Sequence, residues 1–302
     1  MKNAVQLKAK IKNRSKELRI PAQTLLQTYF TERLLARIAA SQYQSNFVFK
    51  GGFLIASVVG HDSRSTMDLD VTLKGKVLDE QTLRSLFHEI LLIETGDGIT
   101  FEMKSIAAIR EDSEYSGLRV SLVACYGRIA NTFHVDITTG DAITPGAINY
   151  EHQPLFDEEP IPMLVYPLET ILAEKIETIL KRVDQNTRLR DYYDVFLFAH
   201  RYKNRIDPSI LNNALLATIQ SRGTGGILDS ISKRIKVIAG SEDLQNRWIA
   251  YQSEYSYAQG IEFESTLESL TEILGIAELL DLGSYQSSEE VWDPDVGAEL
   301  VE

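Results

Sequence analysis

Two aspartates, Asp68 and Asp70, stand two apart in the stretch Met67-Asp68-Leu69-Asp70-Val71-Thr72-Leu73. Alternation of apolar and polar residues at period two is the signature of a strand. Both carboxylates then project to one face, about 6–7 Å apart along it. So placed, they repel unless a cation or a proton offsets them. A hard cation that takes oxygen ligands, Mg2+ or Mn2+, meets that need. Asp136, between Val135 and Ile137, is a third strand carboxylate, and a lone charge in such apolar surroundings would be costly. If the two strands are neighbours, three carboxylates converge. Such a site could hold two ions about 3.5–4 Å apart and clamp the attacking and leaving oxygens of a phosphoryl displacement. The plain alternative is a chance D-x-D in a strand. His134 reads as structural and His61 as a loop histidine.

Gly51 and Gly52 follow a strand-like stretch, with Lys50 just before them. Two glycines let the backbone approach a phosphate, the next helix offers its positive N-terminal end, and Lys50 adds a point charge. An ordinary tight turn is the alternative. The order is what suggests a site: strand, Gly-Gly, helix, then D-x-D about sixteen residues later.

Further on, Leu168, Leu172, Ile176, Ile179 and Val183 form the apolar stripe of a helix over 168–184. Lys175 falls within that stripe, and Arg182 shares its side. A Lys there needs an anion, such as a triphosphate, or a route by which its head reaches solvent. The run Arg188-Leu189-Arg190-Asp191-Tyr192-Tyr193-Asp194 allows Asp191 to cap the next helix. Alternatively, Asp191 or Asp194 orients Lys175 or activates a nucleophile, while Arg188 and Arg190 contact phosphate or RNA backbone.

The elements that must position these residues follow from periodicity. Two helices fill 1–42, the second opened by Pro21. Strands are expected at 46–49, 67–73, 99–110, 118–126 and 131–137, a helix at 79–94, and a helical or simply buried segment at 53–59. The stretch containing Pro154, Pro160, Pro162 and Pro167 reads as a loop and a domain junction. Helices are then expected at 168–184, 191–202, 207–221, 243–258 and 265–281. The class is α+β: a mixed sheet flanked by helices, then a C-terminal helical bundle.

The chain has 302 residues, 44% of them hydrophobic and 25% charged, which excludes collagen-like and wholly disordered classes. A single cysteine, Cys125, excludes an intramolecular disulfide framework and a Cys-rich zinc site. With no apolar run long enough for a membrane span and no signal-peptide pattern at the start, a cytoplasmic protein is expected. Net charge is −12, which argues against a broadly basic nucleic-acid-binding surface. Six of the acids (Glu289, Glu290, Asp293, Asp295, Glu299 and Glu302) crowd the last residues, so a flexible or partner-binding tail is expected at 286–302.

Together, Gly51-Gly52, Asp68-Leu69-Asp70 and Val135-Asp136-Ile137 resemble the nucleotidyltransferase superfamily that includes DNA polymerase β. More closely, "FVFKGGFLI", "RSTMDLD", "LAEKIETILKR" and "RLRDYYDVF" resemble the AbiEii/AbiGii toxin family, which includes the MenT toxins. The likeness covers roughly residues 15–200, more weakly the helical C-terminal half. It implies a nucleotidyltransferase core over 1–165 and a helical domain over 166–285. It also implies a toxin that uses an NTP and Mg2+ or Mn2+, modifies the acceptor end of tRNA, and is paired with an AbiEi-type antitoxin in abortive infection by phage. By motif, Asp68 and Asp70 become metal ligands and Lys175 an NTP contact. Asp191 becomes an essential acid, and Thr66 a small hydroxyl residue that helps hold phosphate. Asp136 fits the superfamily's third carboxylate. Lys50, Gly51, Gly52, Arg182 and Asp194 complete the set expected at the nucleotide. Phe53 departs from the Gly-Ser form of the turn. Two other readings keep the site but change its use: transfer to a protein hydroxyl, such as one on the antitoxin, or nucleotide binding without catalysis.

Overall fold

Seven strands with alternating residues build one sheet in a computed structural model that describes residues 3–59, 68–109 and 117–280. The strands are β1 (Phe47–Lys50), β2 (Asp68–Leu73), β3 (Thr100–Ala108), β4 (Leu118–Tyr126), β5 (Ile129–Thr138), β6 (Ile148–His152) and β7 (Ile161–Val165). Their spatial order is β3-β4-β5-β2-β1-β7-β6. Strand β2 runs parallel to β5 and antiparallel to β1, while β1 runs parallel to β7.

Register separates two faces. Phe47, Phe49, Leu69, Val71, Leu73, Val135 and Ile137 share one and are all buried. The other carries Lys50, Asp68, Asp70, Thr72, His134, Asp136 and Thr138. The apolar face meets helix α4, described below, through Phe47 and Phe87, whose rings stand 6.1 Å apart edge to face.

Helices α1 (Ala4–Leu18), α2 (Ala22–Ala40), α3 (Gly51–Val59) and α4 (Glu80–Leu91) belong with this sheet. Asp79 caps α4 by accepting from the Thr82 N–H at 2.7 Å, and Pro21 opens α2. Helix α2 packs on β5 and β7.

A second unit takes in residues 142–146 and the chain from Pro167 onward. It holds α5 (Leu168–Arg182), α6 (Leu189–Tyr202), α7 (Pro208–Ser221), α8 (Ile231–Gly240), α9 (Glu242–Glu254) and α10 (Phe263–Ile276). Helix α5 is its axis and packs on α6 and α7, while α10 packs on α6. Ile171, Leu172, Ile176, Ile179 and Leu180 are buried, whereas Leu168, at the start of the expected stripe, is half-buried. The helix stops at Arg182 because Val183 turns to φ +48°, where a helix cannot continue.

The α+β expectation is met, with three elements to add. The proline-rich stretch is not a plain loop, since it contains β7, and β6 lies just before it. Pro162 is tolerated in β7 because pairing with β1 begins only at Leu164, so its missing N–H costs no bond on that side. Helix α8 was also unread, although Ile231, Ile235 and Ile238 mark its buried side. Thr66, His61 and the acidic 286–302 stretch lie outside the described residues. Among the described residues no helix is long and apolar enough to cross a membrane.

Candidate active site

Strand β2 brings Asp68 and Asp70 to the polar sheet face, as period-two geometry requires, and both are half-buried. Asp70 lies opposite Lys50 on one side and Asp136 on the other. Directly after Lys50, Gly51 adopts φ +67°, a conformation that side chains rarely tolerate. A Cβ there would stand 1.9 Å from Asp70 Oδ2. The first residue of α3 is thus pressed against the Asp70 carboxylate, and only glycine fits between them. Gly52 is buried behind it. Phe53, the departure from the Gly-Ser form, turns into the core, its ring 5.1 Å from that of His152.

Lys50 does not stand alone. Its ammonium is 2.9 Å from Asp141 Oδ2 and lies over the Tyr166 ring. The hydroxyls of Thr138 and Thr72 donate to the same carboxylate at 2.6 and 2.7 Å. A carboxylate can only accept, so the Thr72 hydroxyl is left to accept from the Tyr166 hydroxyl 2.6 Å away. Burial alone would raise the Asp141 carboxyl. The Lys50 charge and the two hydroxyls outweigh it and hold the group below the ordinary carboxylate range. Asp141, Thr72 and Tyr166 were not expected from the sequence. The one available signal was an Asp closing the turn Thr138-Thr139-Gly140 at the end of a strand.

Asp136 lies on the same sheet face, opposite Asp70, and is already engaged by a cation. Strand β4 sets Arg119 opposite it, and the guanidinium grips both oxygens, at 2.7 and 2.6 Å. A charge expected to be lone on an apolar-flanked strand is balanced by an arginine. Among the described residues no group of three or more acidic, His or Cys side chains is placed to hold a metal ion. Asp68 and Asp70 stand together on that sheet face. That pair still suits Mg2+, which is commonly held by one or two carboxylates together with substrate phosphates and water. His134 lies opposite Asp68, with Nδ1 3.1 Å from Ser121 Oγ.

In the second unit, Lys175 is buried as its place in the stripe required, but its anion comes from α6. Its Nζ is 2.7 Å from Asp191 Oδ1 and 2.6 Å from Asp194 Oδ2. Asp191 does not cap its helix. Arg188 holds the N-cap position, and Asp191 is fully buried in the first turn. Arg188 Nε donates to its second oxygen at 2.8 Å. Burial would raise the Asp191 carboxyl, yet Lys175 and Arg188 drive it far below the ordinary range. Two cations and two carboxylates leave the cluster formally neutral. Arg182 is half-buried in the last turn of α5.

The family model described as "Nucleotidyl transferase AbiEii toxin, Type IV TA system" matches residues 33–269. The chain belongs to this family. The match takes in most of the helical C-terminal half, where the motif likeness was weaker. AbiEii proteins are nucleotidyltransferase toxins of type IV toxin–antitoxin systems, and the chain is a nucleotidyltransferase on that ground. Two solved structures are similar in shape. A candidate nucleotidyltransferase from H. pylori is 16% identical, covers 88% of this chain and 100% of its own, and has a TM-score of 0.49. JHP933 from Helicobacter pylori is also 16% identical, covers 86% and 95%, and has a TM-score of 0.47. No curated protein sequence matches the chain.

Proposed function

We propose that this AbiEii protein transfers NMP from an NTP to the 3′ acceptor end of a tRNA. The observation that carries this reading is the fit of Gly51 against Asp70, beside Asp68 on the same sheet face. In the transfer, the acceptor hydroxyl oxygen bonds to the α-phosphorus, and the bond from that phosphorus to the bridging oxygen of the β-phosphate breaks. Pyrophosphate leaves and the hydroxyl proton passes to water.

Asp68 and Asp70 would hold Mg2+ or Mn2+, which supplies charge neutralisation on the triphosphate and a lowered pKa at the attacking oxygen. The glycine turn puts the positive end of α3 against Asp70, where phosphate oxygens could meet backbone N–H groups. Lys50, steered by Asp141, is proposed as the cation that meets the phosphates, and Thr66 is proposed as a further phosphate contact. Asp136 is proposed to hold Arg119, with a metal role only if that arginine gives way. Lys175, Asp191 and Asp194 are proposed as essential through their charge cluster, with Arg182 a nucleotide contact. The partner proposed is an AbiEi-type antitoxin, the setting the bacterial cytoplasm during abortive infection.

A second reading has one observation in its favour. A net charge of −12 suits a protein acceptor better than a broad RNA surface. Incubation with labelled NTP, Mg2+ and total RNA, split into ribonuclease-treated and protease-treated halves, separates the two. Label lost to ribonuclease supports RNA, and label lost only to protease supports a protein hydroxyl. Nucleotide binding with no transfer to either makes the site a binding module.

A further inference from the structure

The motif around Asp191 has a second side that the charge cluster does not use. Asp191 and Asp194 turn inward to Lys175, whereas Arg190 is exposed and enters no ion pair among the described residues. Tyr193 is buried, and its ring lies 4.7 Å from that of Tyr257. Tyr257 belongs to a group of three half-buried tyrosines at the end of α9. Ring centroids are 4.7 Å apart for Tyr251 and Tyr255 and 5.4 Å apart for Tyr255 and Tyr257. The hydroxyls of Tyr251 and Tyr257 are 2.9 Å apart, which fixes the rings relative to each other. The Tyr255 phenol engages Glu254, and Arg190 stands one helical turn before Tyr193 on the same side of α6.

We propose that Tyr251, Tyr255 and Tyr257, with Arg190 beside them, form a stacking platform for single-stranded RNA. The proposal deepens the reading of RNA as acceptor and rests on it. A net charge of −12 speaks against affinity built from many phosphate contacts. Stacking on aromatic rings needs no such surface, because every base presents a π-face. Tyrosines held by one another and by a buried ring below lose little freedom on binding. The exposed guanidinium of Arg190 matches a phosphate, which is the charge complementarity that favours RNA as the occupant.

The test is fluorescence anisotropy of a labelled twelve-nucleotide single-stranded RNA with the full chain, without NTP or metal. Tyr255→Ala and Tyr257→Ala should each weaken binding by about tenfold, the scale of one lost base stack. Tyr255→Phe keeps the ring and should bind within about twofold of wild type, which separates stacking from loss of fold. The slope of log K against log salt should be shallow, about −1 to −2. Arg190→Ala should flatten it by about 0.7, the share of one phosphate contact. Unchanged affinity in both alanine variants would overturn the proposal. So would a slope of about −5 or steeper, or lost capture of a purified AbiEi-type antitoxin with RNA binding intact. Because binding is read without catalysis, the two readings fail separately. If wild type labels RNA but the tyrosine variants bind normally, only the platform falls. If the variants lose RNA while wild type labels none, the platform stands and the acceptor reading falls.

Discussion

Gly51 and Asp70 are packed so closely that no side chain could stand between them: a Cβ on the glycine would lie 1.9 Å from the carboxylate oxygen. The contact joins the turn that opens α3 to the acid at the centre of β2. Gly51→Ala must therefore push Asp70 aside and also hold φ +67°, at a backbone cost of about 1 kcal/mol or more. Nucleotidyl transfer should fall at least about a hundredfold, with the melting temperature lowered by only a few degrees. Thermal melts and label incorporation on the same preparation check both halves.

Asp70→Asn and Asp68→Asn keep the volume and remove the charge. Both positions are half-buried and face away from the apolar side, so stability should stay within about 1 kcal/mol of wild type. Transfer should drop below detection in each. A denaturant titration beside the activity assay would show whether inactivity has instead come from unfolding.

Lys175→Met strands two buried carboxylates, and breaking a buried pair in this way costs about 3–5 kcal/mol. The combined Lys175→Met/Asp191→Asn variant removes one of the abandoned charges and should regain part of that stability. It should regain no activity. Recovery of transfer along with stability would reduce the cluster to a structural role.

Acid should reach the second unit through Asp191. A carboxyl whose folded pKa is depressed contributes stability that is complete above its unfolded value, near 3.9. That contribution is lost as pH falls toward the folded pKa, here far lower. Stability of wild type should therefore fall steeply below about pH 4. Asp191→Asn should be less stable at neutral pH, with a flatter acid limb. Chemical denaturation at a series of pH values from 7 to 3 measures the difference.

Asp141→Asn removes the charge that pins Lys50 while leaving Thr72 and Thr138 a polar partner. If Lys50 serves the nucleotide, KM for NTP should rise about tenfold with a smaller change in kcat. A purely structural role would instead lower the melting temperature and leave KM alone.

The residues that could be read in advance were those whose own spacing determines their direction. Asp68 and Asp70 share a face because a strand repeats every two residues, and Lys175 points inward because a helix repeats every 3.6. Partners could not be read, because register and packing choose them. Nothing local to Asp136 announces that β4 will bring Arg119 against it, or that α6 will present both Asp191 and Asp194 to Lys175. Strand β7 was hidden by Pro160 and Pro162, whose local message is a loop. Only its place beside β1, with pairing that starts past Pro162, makes those prolines harmless.

The central claim is that Asp68 and Asp70 support transfer of a nucleotide rather than of a single phosphate. Parallel reactions with α-labelled and γ-labelled NTP, wild type against Asp70→Asn, test it most directly. The account predicts that wild type places the α-label, and none of the γ-label, on RNA, and that Asp70→Asn places neither. Acceptor carrying γ-label, or equal α-labelling by the folded variant, would contradict it.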